Sequence, residues 1–483
     1  MTVQSRPRVR FAPSPTGYLH VGGLRTALYN YLFARKEGGT FVLRIEDTDR
    51  SRYVEGAVEN LIETLGWSGL DYDEGPGKGG ECGPYIQSER LDIYRKYVGE
   101  LLQKSHAYHC FCTPERLDEM RKQQEKMRIA PKYDRQCLRL TGGEAASRLA
   151  GGVPSVVRMK IPESTSIKIS DIIRGEVEFQ SDRVDDQVLL KSDGYPTYHL
   201  ANVVDDRLMG ITHVIRGEEW LPSTPKHVLL YRYFGWEVPR FAHLPLLLNA
   251  DRSKLSKRQG DVAVEDYRAA GYLPGALVNF VALLGWNPGD EREIFMIGDL
   301  VREFSLERVG RSGAIFNVEK LKWINQQHLR RLDPAVVVEK VKPALKRAGL
   351  DWPDDRYLGR VIAAMGDRLT SFEDITSFAH YFFADPDRYD DAARKKHWSD
   401  QSAAHLSALI RKLEENADFT ETILEETVKT LAAGFGVGAG KLIHPVRLAL
   451  SGRSIGPGLY ELMVILGRET VLRRLRKAVD VLG

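Results

Sequence analysis

The chain has 483 residues, of which 43% are hydrophobic and 28% charged, and its formal net charge is +3. No run approaches the ~20 apolar residues of a membrane helix, and the first residues lack the apolar segment of a signal peptide, so we exclude both and expect a cytoplasmic protein. The length exceeds the roughly 250–300 residues of one hydrophobic core, which predicts several domains. A net charge this small permits a nucleic-acid partner without demanding one.

The first predicted elements are a strand over residues 9–12 and a helix over 23–32, which Gly38 and Gly39 end. A strand that enters a helix through a glycine-rich turn is a phosphate-binding arrangement, because the first helical N–H groups lack partners and the helix dipole favours an anion. His20 adds a side-chain donor at the same place. Since glycine before a helix is common in α/β proteins, the spacing alone leaves a purely structural turn equally open.

The α/β pattern continues with a predicted strand over 40–45 and a helix over 55–65, and the character of the sequence changes after about residue 105. Short strands with a hairpin turn at Asp193-Gly194 then indicate an insertion with its own small sheet. The predicted strands of this insertion are residues 153–161, 166–169, 177–179 and 187–190.

The α/β pattern resumes with a strand over 210–215, a helix over 225–234 and a strand over 241–248. Beyond about residue 260 the hydrophobic periodicity is helical, and we expect the polar stretch 384–396 to link two helical units. The predicted helices there are 274–284, 299–304, 335–348, 358–365, 402–413, 421–433 and 459–466.

Charged side chains stand at the ends of three predicted strands. Arg10 ends the first strand, Glu46 follows the second, and Arg216 ends the strand over 210–215. In Rossmann-like sheets ligands bind beyond the carboxyl ends of the strands. Because arginine suits a carboxylate and a carboxylate suits an ammonium group, this set predicts a site for a dicarboxylic amino acid. The alternative is a structural ion-pair cluster.

A pentapeptide, Lys254–Arg258, follows the strand over 241–248 after a turn. Its lysines at 254 and 257 can bracket a polyphosphate and stabilise charge while the α-phosphate is attacked. Two lysines in a pentapeptide are, on their own, usually an ordinary surface loop.

Three of the four cysteines are grouped as Cys110, Cys112 and Cys137, whereas Cys82 stands apart. A reducing compartment disfavours disulfides. Thiolates at positions i and i+2 with a third further on can form part of a tetrahedral zinc site that needs a fourth ligand. Three cysteines without a metal remain the alternative.

A run of basic residues lies near the end of the chain, at Arg468, Arg473, Arg474, Arg476 and Lys477. Such a run could form a phosphate-binding surface but is more often a solvated helix face, so it carries little weight on its own.

In two segments the identities of the residues point to a family more specifically than the spacing does. Residues 12–23, with the core His20-Val21-Gly22-Gly23, resemble the first signature of the class I aminoacyl-tRNA synthetases in their glutamyl/glutaminyl branch, with Gly23 in place of a second histidine. Lys254–Arg258 resembles the Lys-Met-Ser-Lys-Ser loop of the same class, with Leu255 and Arg258 as departures. With the segment 441–452, the whole chain resembles the glutamyl-tRNA synthetase family.

This resemblance implies an α/β fold: a Rossmann-like parallel-sheet catalytic domain split by an α/β insertion and followed by all-helical C-terminal domains. The implied domains are 1–93 and 198–258 for the two catalytic halves, 94–197 for an acceptor-binding insertion, 259–330 for a helical stem-contact domain, and 331–390 and 391–483 for two parts of a helical anticodon-binding domain.

The resemblance also implies the site residues, with His20, Lys254 and Lys257 as the catalytic group. Glutamate would be held by Arg10, Ala12, Ser14, Glu46, Tyr198, Asn202 and Arg216. ATP would be held by Pro13, Thr16, Gly17, His20, Gly22, Gly23, Glu219, Trp220, Leu246, Lys254 and Lys257. The implied zinc ligands are Cys110, Cys112, Tyr133 and Cys137, in a Cys-x-Cys and Tyr-x-x-x-Cys pattern in which Arg139 replaces the histidine of some relatives.

The implied reaction has two steps. The glutamate α-carboxylate attacks ATP, with Mg²⁺ offsetting phosphate charge, and the terminal ribose of tRNA(Glu) then attacks the glutamyl-adenylate. Activation in this family generally needs bound tRNA, and the expected state is a monomer. Some members also charge tRNA(Gln). Other readings are a glutaminyl-tRNA synthetase, which ends in β-barrels, a short paralogue without the anticodon-binding half, and an inactive RNA-binding relative.

Overall fold

The computed structural model describes residues 6–255 and 263–483. These residues divide into two units. The first contains the described residues up to Arg268 together with Pro274–Leu321, and the second contains Ala269–Leu273 together with Lys322–Gly483.

The strands all lie in the first unit. They are β1 (Arg8–Phe11), β2 (Thr40–Leu43), β3 (Ala107–Cys110), β4 (Val156–Met159), β5 (Ser166–Asp171), β6 (Gly175–Gln180), β7 (Val188–Leu190), β8 (His213–Gly217), β9 (Arg240–Leu244), β10 (Leu247–Leu248) and β11 (Ala314–Ile315). The helices up to residue 329 are α1 (Val21–Lys36), α2 (Ala57–Trp67), α3 (Leu91–Gln103), α4 (Pro114–Lys126), α5 (Gly142–Ala150), α6 (Tyr198–Leu208), α7 (Thr224–Phe234), α8 (Val264–Ala269), α9 (Pro274–Ala282), α10 (Ile297–Glu303) and α11 (Val318–Leu329).

Parallel strands form the centre of the first unit, as predicted. β1 pairs in parallel with β2, and β8 pairs in parallel with β9. The Thr212 N–H donates to the Arg8 carbonyl oxygen at 2.9 Å, which places β1 beside β8. Helix α1 covers this sheet with fully buried leucines at positions 24, 28 and 32. The split α/β frame predicted from the sequence is therefore confirmed.

The hairpin of β5 and β6 corrects one prediction. It does not belong to the sheet of the insertion, which in the described part of the chain is formed by β3, β4 and β7. Instead, β5 joins the edge of the central sheet in parallel, with Asp171 opposite Phe241 of β9. Every second residue of β5 is buried, including Ile167 and Ile169, and this alternation shows that one face is covered without saying by which sheet.

The predicted strand over 241–248 is broken in two. Pro245, which has no N–H to donate to a sheet, separates β9 from β10. After the break β10 pairs in parallel with β11 instead. The chain therefore changes its strand partner next to Leu246, which lines the predicted site.

The second unit is helical, as predicted. Its remaining helices are α12 (Pro334–Arg347), α13 (Asp355–Met365), α14 (Asp374–Phe378), α15 (Asp391–His397), α16 (Ser402–Glu415), α17 (Glu421–Gly434), α18 (Gly440–Ser451), α19 (Leu459–Leu466) and α20 (Arg468–Leu482). Among the described residues, no helix combines the length and the apolarity that crossing a membrane requires.

The polar stretch 384–396 is not a bare linker, because α15 forms within it and Asp385 binds α20. The Asp385 carboxylate accepts hydrogen bonds from Arg473 at 2.9 and 3.0 Å and from Arg474 at 2.7 Å. Arg474 is only 2% exposed, so the expectation of a solvated basic face is wrong for this residue. Its other N–H groups donate to the carbonyl oxygens of Tyr381, Ala384 and Leu450.

We expect Arg474→Met to destabilise the chain, because it keeps the apolar stem but leaves the carbonyl oxygens of Tyr381, Ala384 and Leu450 without their donor, while Asp385 keeps only Arg473. A buried polar group left without its hydrogen-bond partner costs about 1–3 kcal/mol, so the loss of three such bonds should cost about 2–4 kcal/mol. Arg476 on the same helix is paired with Glu414 at the surface, so Arg476→Met should cost less than about 1 kcal/mol. Urea unfolding of the full chain compares the two, and equal losses would contradict the role assigned to Arg474.

Candidate active site

A crevice of about 870 Å³ opens in the first unit at the carboxyl ends of the central strands. Every described residue predicted for glutamate or ATP lines it. These residues are Arg10, Ala12, Pro13, Ser14, Thr16, Gly17, His20, Gly22, Gly23, Glu46, Tyr198, Asn202, Arg216, Glu219, Trp220, Leu246 and Lys254. Lys257 lies outside the described residues.

His20 caps the N-terminus of α1. Its Nδ1 accepts a hydrogen bond from the Gly23 N–H at 3.1 Å, so a neutral ring carries its proton on Nε2. The helix begins at Val21, two residues earlier than predicted, and both glycines belong to its first turn. A Cβ on Gly22 would lie 3.0 Å from the His20 ring, so a larger residue there would push against the capping imidazole.

The turn before α1 is tied to the neighbouring strand end. Gly17 has a φ of +132°, a conformation that favours glycine. The Pro13 carbonyl oxygen accepts from the Glu46 N–H at 2.9 Å. The ends of β1 and β2 are thereby held together at the rim of the crevice.

A buried ion network forms the floor beside this turn. Asp206 Oδ1 accepts from Arg10 Nε at 3.0 Å and from Arg44 Nη1 at 2.7 Å. Arg44 Nη2 also donates to Glu46 Oε1 at 2.9 Å, and Asn202 Nδ2 lies 3.3 Å from the same oxygen. The ion-pair reading of Arg10 and Glu46 is thus correct in part, since both are paired within the protein and also face the crevice.

Burial and ion pairing shift the carboxyl pKa values of this network in opposite directions. Burial raises the pKa of the Glu46 carboxyl above its usual value, although the nearby Arg44 opposes the shift. Burial would also raise the pKa of Asp206, but the charges of Arg10 and Arg44 lower it instead. Sequence reasoning missed Arg44 and Asp206. Asp206 lies one helical turn after Asn202, and that spacing was the available signal.

Arg216 has a different environment. Its Nε donates to His243 Nε2 at 3.1 Å, and its Nη2 donates to Thr224 Oγ1 at 3.0 Å. Its Nη1 donates to Tyr198 Oη at 2.9 Å and to His227 Nδ1 at 3.2 Å. Arg216 is 4% exposed, and within the described ranges no carboxylate lies within ion-pair distance of it. Its charge is therefore held by neutral acceptors.

The histidines around Arg216 are neutral. Burial, aided by the charge of Arg216, lowers the pKa of His227 well below its usual value. Burial likewise lowers the pKa of His199 to about 3. Because Arg216 can only donate, His227 accepts on Nδ1 and donates through Nε2 to His199 Nδ1 at 3.1 Å. The arginine thus fixes the tautomers of its neighbours.

Trp220 gives the crevice an aromatic surface. Trp220 is 38% exposed and packs against Tyr198 with ring centroids 4.2 Å apart. The Leu246 N–H, just after the break at Pro245, donates to Glu218 Oε1 at 2.7 Å. An exposed indole beside an aliphatic residue can hold a planar ring.

Lys254 stands on a short turned segment at the mouth of the crevice. Asn249 N–H donates to the Ser253 carbonyl oxygen at 2.8 Å, and Leu255 N–H to the Leu247 carbonyl oxygen at 2.9 Å. These bonds present the exposed Lys254 side chain to the crevice. Arg25 of α1, which sequence reasoning missed, lines the same crevice and is only 3% exposed.

The three grouped cysteines converge in the insertion. The sulfur atoms of Cys110, Cys112 and Cys137 lie within 4.8 Å of one another. Tyr133 Oη lies 3.3 Å from both Cys110 Sγ and Cys112 Sγ. In a tetrahedral site with Zn–S bonds of about 2.3 Å, sulfur atoms lie roughly 3.8 Å apart, so this donor set fits a zinc ion.

The protonation state of this cluster affects zinc binding, because the ligands must lose their protons to bind the ion. Burial would raise the pKa of the Cys110 thiol, but hydrogen bonds with Tyr133 and Arg158 lower it. Burial and the neighbouring Cys137 raise the pKa of Cys112 to about 11. Burial and the cysteines raise the pKa of Tyr133 well above its usual value. Tyr133 is therefore a phenol at neutral pH unless a cation draws off its proton.

Known proteins resemble the whole chain. Residues 7–323 match the family model for tRNA synthetases class I (E and Q), catalytic domain, and residues 336–479 match an anticodon binding domain. A glutamate–tRNA ligase of Chloroherpeton thalassium is 56% identical, with 98% of each chain covered. That of Chlorobaculum parvum is 52% identical, again with 98% of each covered. A crystal structure of a glutamate tRNA ligase from Elizabethkingia meningosepticum, described as in complex with its amino acid, has a TM-score of 0.90 at 42% identity and covers 99% of this chain and 100% of that one.

We expect His199 to make the folded chain less stable as the pH falls. Its folded-state pKa of about 3 lies below the unfolded value near 6.5, so between these values the unfolded chain binds a proton that the folded chain does not. The contribution of His199 to the free energy of unfolding is therefore fully present above about pH 6.5, and it falls by about 2 kcal/mol by pH 5. His199→Gln should flatten this fall in urea unfolding at pH 7.5 and 5, whereas His380→Gln, at an exposed position, should not. Equal slopes for the parent and His199→Gln would contradict the assignment.

Proposed function

The chain belongs to the class I tRNA synthetases for glutamate and glutamine, and we propose that this enzyme joins L-glutamate to the 3′ end of tRNA(Glu) through a glutamyl-adenylate, releasing AMP and pyrophosphate. Relatives that are glutamate–tRNA ligases at 52–56% identity over nearly the full chain support this activity. The glutaminyl and inactive readings lack such support.

The single observation that carries the choice of substrate is the environment of Arg216. Its buried charge is surrounded by neutral acceptors, so an anionic ligand would supply the missing counter-charge. Tyr198 accepts from Arg216 and therefore has its own proton to donate. A γ-carboxylate satisfies both groups, whereas the amide of glutamine brings no charge. This arrangement favours glutamate.

The remaining glutamate contacts follow from the resemblance. Glu46 and Asn202 would face the α-amino group, and Arg10, Ala12 and Ser14 would line the rest of the pocket. The carboxylate of Glu46 is the anionic partner that an ammonium group requires. These residues would orient the α-carboxylate toward the α-phosphate of ATP.

ATP would lie along the other side of the crevice, with its adenine between Trp220 and Leu246 near Glu219. The first turn of α1 and His20 Nε2 would bind its phosphates, together with Pro13, Thr16 and Gly17 of the preceding turn. Lys254 and Lys257 would stabilise the charge that develops as pyrophosphate leaves, and Mg²⁺ would offset phosphate charge. Catalysis by this set is positioning and charge stabilisation, without a side-chain nucleophile.

Each domain would contact a different part of the tRNA. We propose that residues 94–197 hold the acceptor end, 259–330 contact the stem, and 331–390 and 391–483 read the anticodon, while 1–93 and 198–258 perform the chemistry. We further propose that the enzyme is cytoplasmic, because its substrates are those of translation, and that it is a monomer, as the resemblance to the family implies. Charging of tRNA(Gln) is the alternative specificity.

We also propose one structural Zn²⁺ on Cys110, Cys112 and Cys137, with Tyr133 at the fourth position. When bound, the ion would lock the insertion between β3 and α5. It lies outside the crevice and would take no part in the chemistry.

Aminoacylation with labelled glutamate and separate tRNA(Glu) and tRNA(Gln) transcripts tests the proposed function. We expect charging of tRNA(Glu) in the presence of ATP and Mg²⁺. Charging of both transcripts would indicate the broader specificity, and charging of neither would contradict the proposal.

Arg216→Gln should impair the use of glutamate more than that of ATP. The loss of a charge-assisted hydrogen bond raises KM for glutamate by about tenfold or more, while KM for ATP stays within about twofold. Arg207→Gln, on the exposed end of α6, is a matched control. An unchanged dependence on glutamate in Arg216→Gln would remove this residue from the pocket.

Removal of one thiol should abolish stoichiometric zinc binding. We expect about one zinc per chain in the parent by elemental analysis, and a large loss in Cys112→Ser because a hydroxyl replaces the thiolate ligand. Cys82→Ser, outside the cluster, should retain the metal. A zinc-free parent that keeps its thermal stability in a chelator would favour unliganded cysteines.

A further inference from the structure

The turn that joins β5 to β6 is connected to two walls of the crevice at once. It comprises residues 171–175, and Gly175 reverses the chain there with a φ of +77°. Asp171 pairs with Phe241 of β9, so the turn lies at the edge of the central sheet. Its residues are all described, and none of them lines the crevice.

The first connection runs through Asp171. Its Oδ2 lies 2.6 Å from His243 Nδ1, and both side chains are fully buried. The N–H groups of Ile173 and Arg174 donate to Asp171 Oδ1 at 3.0 and 2.8 Å, so the turn itself fixes the carboxylate. Since His243 Nε2 accepts from Arg216, its Nδ1 must be the donor to Asp171. Asp171 therefore orients the ring that holds Arg216.

The second connection runs through Arg174. Its Nη1 donates to the Arg311 carbonyl oxygen at 2.8 Å, and its Nη2 donates to Glu218 Oε2. The other carboxylate oxygen of Glu218 accepts the Leu246 N–H at 2.7 Å. Arg174 thus holds the carboxylate that fixes the backbone on the nucleotide side, where the sheet hydrogen bonding is interrupted at Pro245.

We propose that the β5–β6 turn positions both substrate subsites, with Asp171 acting on the glutamate pocket through His243 and Arg174 acting on the ATP side through Glu218. The inference rests on the proposed function of the crevice. Both are positioning residues that touch neither substrate. The two connections also meet at the backbone of His243, because Arg174 Nε donates to the His243 carbonyl oxygen at 3.4 Å. The His243 ring acts on Arg216 and the Glu218 carboxylate acts on Leu246, so the effects on the two substrates should still be separable.

The experiment measures steady-state aminoacylation of a tRNA(Glu) transcript by the full chain, varying glutamate and ATP in turn. Asp171→Asn keeps the shape and removes the charge, so KM for glutamate should rise about tenfold while KM for ATP stays within about twofold. Arg174→Met should instead raise KM for ATP about tenfold and leave KM for glutamate within about twofold of the parent. Arg174→Lys should restore part of the affinity for ATP.

Matched controls lie on the same hairpin. Glu176→Gln makes the same acid-to-amide change at an exposed position of β6, and Lys168→Met removes an exposed cation from β5. Both should leave the two KM values within about twofold of the parent.

The outcomes separate the two proposals. A parent chain that does not charge tRNA(Glu) contradicts the proposed function itself. A parent that charges, with Asp171→Asn and Arg174→Met raising both KM values together or neither, overturns the inference about the turn. If Asp171→Asn does not fold cooperatively, His243→Gln replaces it, because the glutamine oxygen can accept from Arg216 while the link to Asp171 is lost. A rise in KM for ATP equal to that for glutamate in that variant would also overturn the inference.

Discussion

Compensation of buried arginine charge is the constraint on which the crevice depends. Arg44 is completely buried, and its charge is tolerated only because Asp206 and Glu46 accept its hydrogen bonds. The same aspartate holds Arg10, so one carboxylate joins the ends of two strands to helix α6. Arg216 stands outside this balance. Of Arg10, Arg44 and Arg216, Arg216 is the one without a carboxylate partner among the described residues, which supports the anion site proposed there. Arg25 also lines the crevice, but its guanidinium donates to the carbonyl oxygens of Leu284 and Pro245.

The sequence predicts the general frame and the lining of the crevice, but not the interactions behind it. The parallel strands and helices are recognisable because their hydrophobic periodicity is local. The placement of the β5–β6 hairpin is not local, since the alternation of Ile167 and Ile169 is equally compatible with either sheet. His243 was missed for a similar reason, because only the β8–β9 register sets it opposite Arg216.

The basic residues of α20 illustrate the same limit. Arg474 and Arg476 are indistinguishable in the sequence, and yet one is buried among carbonyl oxygens while the other is at the surface. The difference depends on Asp385, which lies 89 residues before Arg474. A local charge pattern therefore shows that a helix is basic, but it does not show which of its arginines is buried. The cysteine cluster is easier to predict, because its members are close in sequence and chemically distinctive.

The split of the central sheet also sets the order in which a nascent chain can fold. Arg8 of β1 is bonded to Thr212, which lies 204 residues later, and Arg10 waits for Asp206, 196 residues later. At about 5–20 residues per second, a ribosome needs roughly 10–40 s to synthesise that interval. During this time β1 and β2 lack β8 beside them, and Arg10 and Arg44 lack Asp206, whereas the sheet of β3, β4 and β7 can already be complete. The crevice is thus among the last parts of the first unit to assemble during synthesis.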